Sequence, residues 1–128
     1  MKKYFLILGA MITGVIGLHA QGNFMQMTPQ ERADNMTTRM QKQITGLTGD
    51  QVSQLKTINL DFSQKMDSMF QASSGDRSAM RGNFRILNSS RDSTLKTVLT
   101  NDQFTQWQDY QTKMRARMRN RGGGGGNN

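Results

Sequence analysis

From Thr28 to about Arg119 the apolar residues return every three or four positions, the spacing that aligns one face of an α-helix. Ala33, Met36, Met40 and Ile44 share such a face, with Pro29 suited to a first helical position. Gly46 stands where a helix end calls for a left-handed residue, so a first helix is expected from about Pro29 to Thr45. A second begins at Thr48 and runs to about Ala72. Its residues Val52, Leu55, Ile58, Phe62, Met66, Met69 and Phe70 fall within about a third of the circumference at ~100° per residue. The stretch Ser73, Ser74, Gly75, Asp76 is the clearest internal break. A third helix, roughly Arg77 to Val98, aligns Met80, Phe84, Leu87, Leu95 and Val98, with Arg91 inside the stripe. A fourth aligns Phe104, Trp107, Tyr110, Met114 and Met118 and is expected to fray near Arg119. No segment alternates convincingly at period two, so the fold class is all-α: four helices in two linked hairpins.

The second and fourth helices open on the same pattern. Leu47-Thr48-Gly49-Asp50-Gln51 returns as Leu99-Thr100-Asn101-Asp102-Gln103, and a looser copy, Met27-Thr28-Pro29-Gln30-Glu31, precedes both. In each, a threonine can cap the helix by accepting from the backbone N–H three residues on, while Gln51, Gln103 or Glu31 reaches back to complete a capping box. Leu47 with Val52, and Leu99 with Phe104, stand at the positions of a hydrophobic staple. The pattern is therefore a helix-start device. Its two strict copies resemble the LTxxQ-motif family of small periplasmic helical proteins, which includes envelope chaperones and stress regulators. That resemblance rests on Leu47, Thr48, Gln51, Leu99, Thr100 and Gln103, together with the size and the lack of cysteine.

The segment before the helices has the layout of a signal peptide: basic Lys2 and Lys3, an apolar run from Tyr4 to Leu18, and Ala20 before the expected cut, with Leu18 tolerable at the minus-three position. The run is roughly 15 residues, short of the ~20 needed to span a bilayer. Export to a periplasm is expected. The chain then divides into a signal peptide at 1–20, a flexible lead-in at 21–27, a helical domain at 28–119 and a disordered Gly-rich tail at 120–128.

Export changes the meaning of the charge. The chain holds 17 Lys and Arg against 9 Asp and Glu. Without Lys2 and Lys3 the balance is 15 to 9, and five of those 15 are Lys113, Arg115, Arg117, Arg119 and Arg121. The body is nearly neutral and its end is basic. Nucleic acid is a poor partner for an exported protein, whereas acidic proteins, anionic lipid or polysaccharide could meet this end. With no Cys, and His19 lost with the signal peptide, imidazole and thiolate metal sites and Ser-His or Cys-His nucleophiles are excluded from the mature chain. No metal or cofactor is expected. The terminal glycines precede no helix and lack the lysine of a P-loop, so no ATP site is expected either. The acids at Asp61, Asp67, Asp92 and Asp109 show no pairing suited to acid–base work, so the chain reads as a non-enzyme. A core of about 85 residues is marginal at that size, which favours a homodimer.

The remaining candidates concern surfaces. Leu60 and Ile86 lie off the main stripes and could mark a dimer seam or a client surface. Arg77, Arg81 and Arg85 step by four along one side of the third helix, a solvated face or a basic ridge beside an apolar groove. Nine of the eleven methionines follow Ala20, mostly on the apolar stripes. Most are expected in the core, although thioethers also suit adaptable binding surfaces and Cu(I). The family resemblance implies a thin, cradle-shaped dimer with a basic, partly apolar concave face. It further implies an ATP-independent, holdase-like chaperone or stress-response accessory protein acting on other envelope proteins. The alternatives are a regulator of one sensor or envelope partner, and a protein whose stretch from Lys113 to Arg121 contacts an anionic surface. Metal-binding histidines, frequent in the family's regulators, are missing here.

Overall fold

The computed structural model describes residues 26–122; the expected signal peptide, residues 21–25 of the lead-in and the final run of glycine and asparagine at 123–128 lie outside them. Four helices follow in order: α1 (Pro29–Gln43), α2 (Gly49–Ser73), α3 (Arg77–Val98) and α4 (Asn101–Gly122). The fold is all-α, with no strand among the described residues. Each start has a local cause. Thr28 and Thr48 form complete capping boxes with Glu31 and Gln51, and Asp76 accepts from the N–H groups of Ser78 and Ala79 at 2.9 and 3.1 Å. The turns are equally local: α1 stops at Gln43, two residues short of the expected end, and Gly46 takes φ +72°; Ser74 and Gly75 turn α2 into α3 at φ 40° and 88°. At the other end α4 continues three residues past the expected fraying point, to Gly122.

The second helix is the spine, packed along α1 on one side and α3 on the other, while α4 touches α1 and α3 only lightly. The apolar core gathers where the motif-bearing ends meet: Met40 and Ile44 of α1, Leu55 of α2, Leu95 and Leu99 at the end of α3, and Phe104 and Trp107 of α4. Further along the α1–α2 seam the contacts turn polar. Arg32 is buried and pairs with Asp67, and Asn59 donates to Thr37 Oγ1 at 3.0 Å.

This arrangement corrects the expected apolar faces of α3 and α4. Along α4, Phe104 and Trp107 are buried, Tyr110 and Met114 half-buried, and Met118 is 67 % exposed. On α3, Leu95 is buried but Phe84 is 40 % exposed. The stripes are correctly placed, but α4 packs only through its first turns, so their outer halves wall an open groove. The methionines divide accordingly. Met40 and Met66 are core, Met36 and Met114 are half-buried, and Met118 is exposed.

Candidate functional site

The two strict motifs meet in space. Gln51 Oε1 accepts from the Thr48 N–H at 3.0 Å, closing its own capping box, while Gln51 Nε2 donates to the Val98 carbonyl at 3.0 Å, just before the second motif. Gln103 mirrors this. Its Oε1 accepts from the Thr100 N–H at 3.0 Å, and its Nε2 donates to the Gly46 carbonyl at 3.1 Å, just before the first motif. The two amides also exchange hydrogen bonds with each other, at 2.8 and 3.3 Å. Each glutamine therefore starts its own helix and ties down the end of the helix that precedes the other motif. Glutamate could complete a capping box but has no N–H for that second bond, which explains why the isolated copy at Thr28 uses Glu31 and the paired copies use glutamine. Beside them Gln106 Oε1 accepts from the Thr45 N–H at 2.9 Å, a further tie between the two junctions.

Beyond this knot, α1, α2, α3 and the outer half of α4 enclose an open groove of about 480 Å³. Its walls are thioether and aromatic: Met36 from α1, Phe62 and Met66 from α2, Phe84 from α3, and Trp107, Tyr110, Met114 and Met118 from α4. Phe62 meets Phe84 edge-on with centroids 6.3 Å apart, and Trp107 stacks on Tyr110 at 5.4 Å. The charged residues lining it are Arg39, Arg91 and Arg115, with no carboxylate among the lining residues. Arg91 is the deepest of these. Its guanidinium lies 4.2 Å from the Phe62 ring centroid and its Nη1 3.3 Å from the Met36 sulfur. Burial lowers its pKa from the usual guanidinium value, with the Asp92 charge partly offsetting that shift. The positive charge remains at neutral pH, since arginine is not deprotonated in proteins.

A family model matches residues 19–107, over both motif junctions, α1 to α3 and the first turns of α4; it is described as a domain of unknown function, DUF4890. The chain belongs to the DUF4890 family. Neither the curated proteins nor the solved structures contain a match to it. In this DUF4890 protein the match ends at Trp107, so the groove wall formed by Tyr110, Met114, Arg115 and Met118 lies beyond it.

The expected surface residues of the DUF4890 chain do not converge. Leu60 is half-buried, and Ile86, 69 % exposed, lines a shallow depression between α2 and α3 with Met69 and Leu87. Arg77, Arg81 and Arg85 are all exposed, and none of the three lines the methionine groove. Arg85 lines a separate, more polar groove with Asp92, Lys96 and Arg115. Of the groove's cations, Arg39 carried no signal in the sequence, because it is an ordinary polar-face residue until α4 is placed, and Arg115 was marked only as a member of the basic stretch from Lys113 to Arg121. Arg91 did carry one, as a charge within an apolar stripe. Among the described residues there is no group of three or more His, Asp or Glu side chains placed to hold a metal ion. No described helix is long and apolar enough to cross a membrane.

Proposed function

We propose that this protein is an exported, ATP-independent, holdase-like chaperone or envelope stress-response accessory protein of the LTxxQ type, working as a homodimer and catalysing no reaction. The groove is the observation that carries this reading: it combines thioether and aromatic walls with arginines and an open mouth. Methionine re-packs against different partners because its side chain is unbranched and polarizable, which suits a surface that meets many sequences. The arginines attract acidic chains at long range, speeding encounter, and apolar contact follows. A groove open to solvent leaves the backbone of a bound segment partly hydrated, which keeps the interaction reversible. The exposed Ile86 gives such a dimer or its clients a further apolar contact.

The deciding experiment is light scattering by two unrelated, chemically denatured clients diluted with the mature protein and no nucleotide. Suppression near equimolar ratio is expected, and Phe84→Ser with Met118→Ser, both at exposed positions, should weaken it without unfolding the protein. No suppression at several-fold excess sinks the reading and turns the search to one dedicated partner.

A second reading has its own observation. The last turns of α4 carry Lys113, Arg115, Arg117, Arg119 and Arg121, all exposed, on a helix that continues to Gly122. Such an end suits an anionic lipid or polysaccharide surface. Truncation after Thr112 should abolish co-sedimentation with anionic vesicles while the body stays helical; equal co-sedimentation of both forms refutes it.

A further inference from the structure

Two residues that line the groove each carry a buried polar hydrogen with nothing to bond. Arg91 Nε is buried and has no hydrogen-bond partner, and the same holds for the indole Nε1 of Trp107, itself only 4 % exposed. Both side chains line the methionine groove. Among the described residues Arg91 forms no ion pair; its guanidinium is met instead by an aromatic face and a thioether, which attract a cation weakly and do not neutralise it. A desolvated cation with no ion pair, its charge offset only in part by neighbouring Asp92, is costly, and orphaned buried donors are rare in folded proteins. The guanidinium at the groove, charged and without an ion pair, points to an absent partner that carries negative charge.

We propose that the groove binds an anionic amphiphile with a single alkyl chain, a long-chain carboxylate, whose head group is held by Arg91 and whose chain lies along Met66, Phe84, Met114 and Met118. A carboxylate matches the planar guanidinium, and the low polarity around Arg91 strengthens the pairing. The volume of about 480 Å³ lies in the ordinary range of small-ligand sites, about 300–1,000 Å³. Around the buried Arg91 the lining suits an alkyl chain better than a peptide, whose backbone would have to stay at the open mouth where water can partner it. A peptide brings an N–H and a C=O with every residue, and each needs a partner once desolvated. Besides its arginines, the groove offers only the side chains of Asn88 and Gln111, the Tyr110 hydroxyl and the Trp107 N–H. An alkyl carboxylate is polar at one end alone, so one receptor suffices. Arg39 and Arg115 add positive charge that draws the anion in.

This site does not require the protein to be a chaperone. Its test uses no client protein, so failure here leaves that reading standing. Trp107 is the one tryptophan of the chain and lines the groove, so its fluorescence reports occupancy. The full mature chain is titrated with dodecanoate below its micelle concentration, with dodecanol and acetate as comparators, and binding is measured in parallel by calorimetry. A saturable change at one equivalent is expected for dodecanoate, with dodecanol and acetate weaker by about tenfold or more. Arg91→Gln should remove that preference, bringing dodecanoate to the level of dodecanol, while the circular dichroism melt establishes that the variant is folded. Equal affinity for dodecanol and dodecanoate in the native chain, a comparison that needs no variant, overturns the proposal. So does calorimetric binding without a tryptophan response, no binding of dodecanoate at all, or an undiminished preference in folded Arg91→Gln.

Discussion

Replacing Gln103 by glutamate separates the two jobs of its side chain. The substituted carboxylate can still accept from the Thr100 N–H and from Gln51 Nε2, now at 3.0 and 2.8 Å, so the helix start survives. The donor is lost. Where Nε2 now donates to the Gly46 carbonyl at 3.1 Å, a carboxylate oxygen would face a carbonyl oxygen at similar range. A lost neutral hydrogen bond costs about 0.5–1.5 kcal/mol, and leaving a shielded acceptor unpaired adds about 1–3 kcal/mol. Gly46 is exposed and water can reach part of the site, so the lower end of the second figure applies. A carboxylate in the first turn of a helix returns about 0.3–1 kcal/mol. The net loss is about 1.4 kcal/mol, which for a domain of this size lowers the melting temperature by about 8 °C at roughly 4–8 °C per kcal/mol. Glu31→Gln, the opposite exchange in the isolated capping box, should change stability by less than about 0.5 kcal/mol. Urea and thermal unfolding followed by far-ultraviolet circular dichroism measure both. A Gln103→Glu protein as stable as the native one would refute the role given to the cross-junction bonds. Gln51→Glu with Gln103→Glu should then cost more than the two singles added, because two carboxylates would meet where two amides now bond.

Two further perturbations test separate parts of the fold. Gly46→Ala meets no atom within 4 Å but must hold φ +72°, so it should lower stability by about 1–2 kcal/mol through backbone strain alone, seen as an earlier thermal transition. Asn59→Leu should be neutral or stabilising in urea unfolding, because the Asn59 Oδ1 is buried without a partner and the Thr37 hydroxyl keeps its bond to the Ala33 carbonyl at 2.8 Å; a loss above about 2 kcal/mol would show that the amide's bond to Thr37 outweighs its unpaired oxygen.

Much of the fold could be read from residue spacing and capping chemistry. The starts of α1, α2 and α3 follow from Thr28, Thr48 and Asp76, whose side chains act within three residues of their own positions. Such local causes are legible in a sequence. The bond from Gln51 to Val98 spans 47 residues and that from Gln103 to Gly46 spans 57, and no periodicity reveals either. The choice of glutamine over glutamate in both strict copies was the available trace. The groove was less legible still. The stripe Phe104, Trp107, Tyr110, Met114, Met118 has the same spacing whether it is covered or open, and only the placement of α4 decides between core and wall. The ridge of Arg77, Arg81 and Arg85 was a conspicuous charge pattern, yet the cations of the groove come singly from α1, α3 and α4 as Arg39, Arg91 and Arg115.

The knot and the groove are parts of one arrangement. A helix held only by its first turns would ordinarily swing, because few contacts resist rotation about its base. Here the base of α4 is fixed by Phe104 and Trp107 in the core, by Gln103 against Gly46 and Gln51, and by Gln106 against Thr45. Those ties set the direction in which α4 leaves the core, so its outer turns can stand away from α1 and α3 and still form a wall. The apolar stripe left uncovered by that geometry becomes available surface. Weakening the knot should therefore affect the groove at a distance. Gln103→Glu should change the environment of Trp107 and weaken ligand or client binding at temperatures well below its unfolding transition, although residue 103 does not line the groove. Fluorescence of Trp107 together with client aggregation reads both effects. Unchanged binding in a folded Gln103→Glu protein would show that α4 is aimed by its apolar contacts alone.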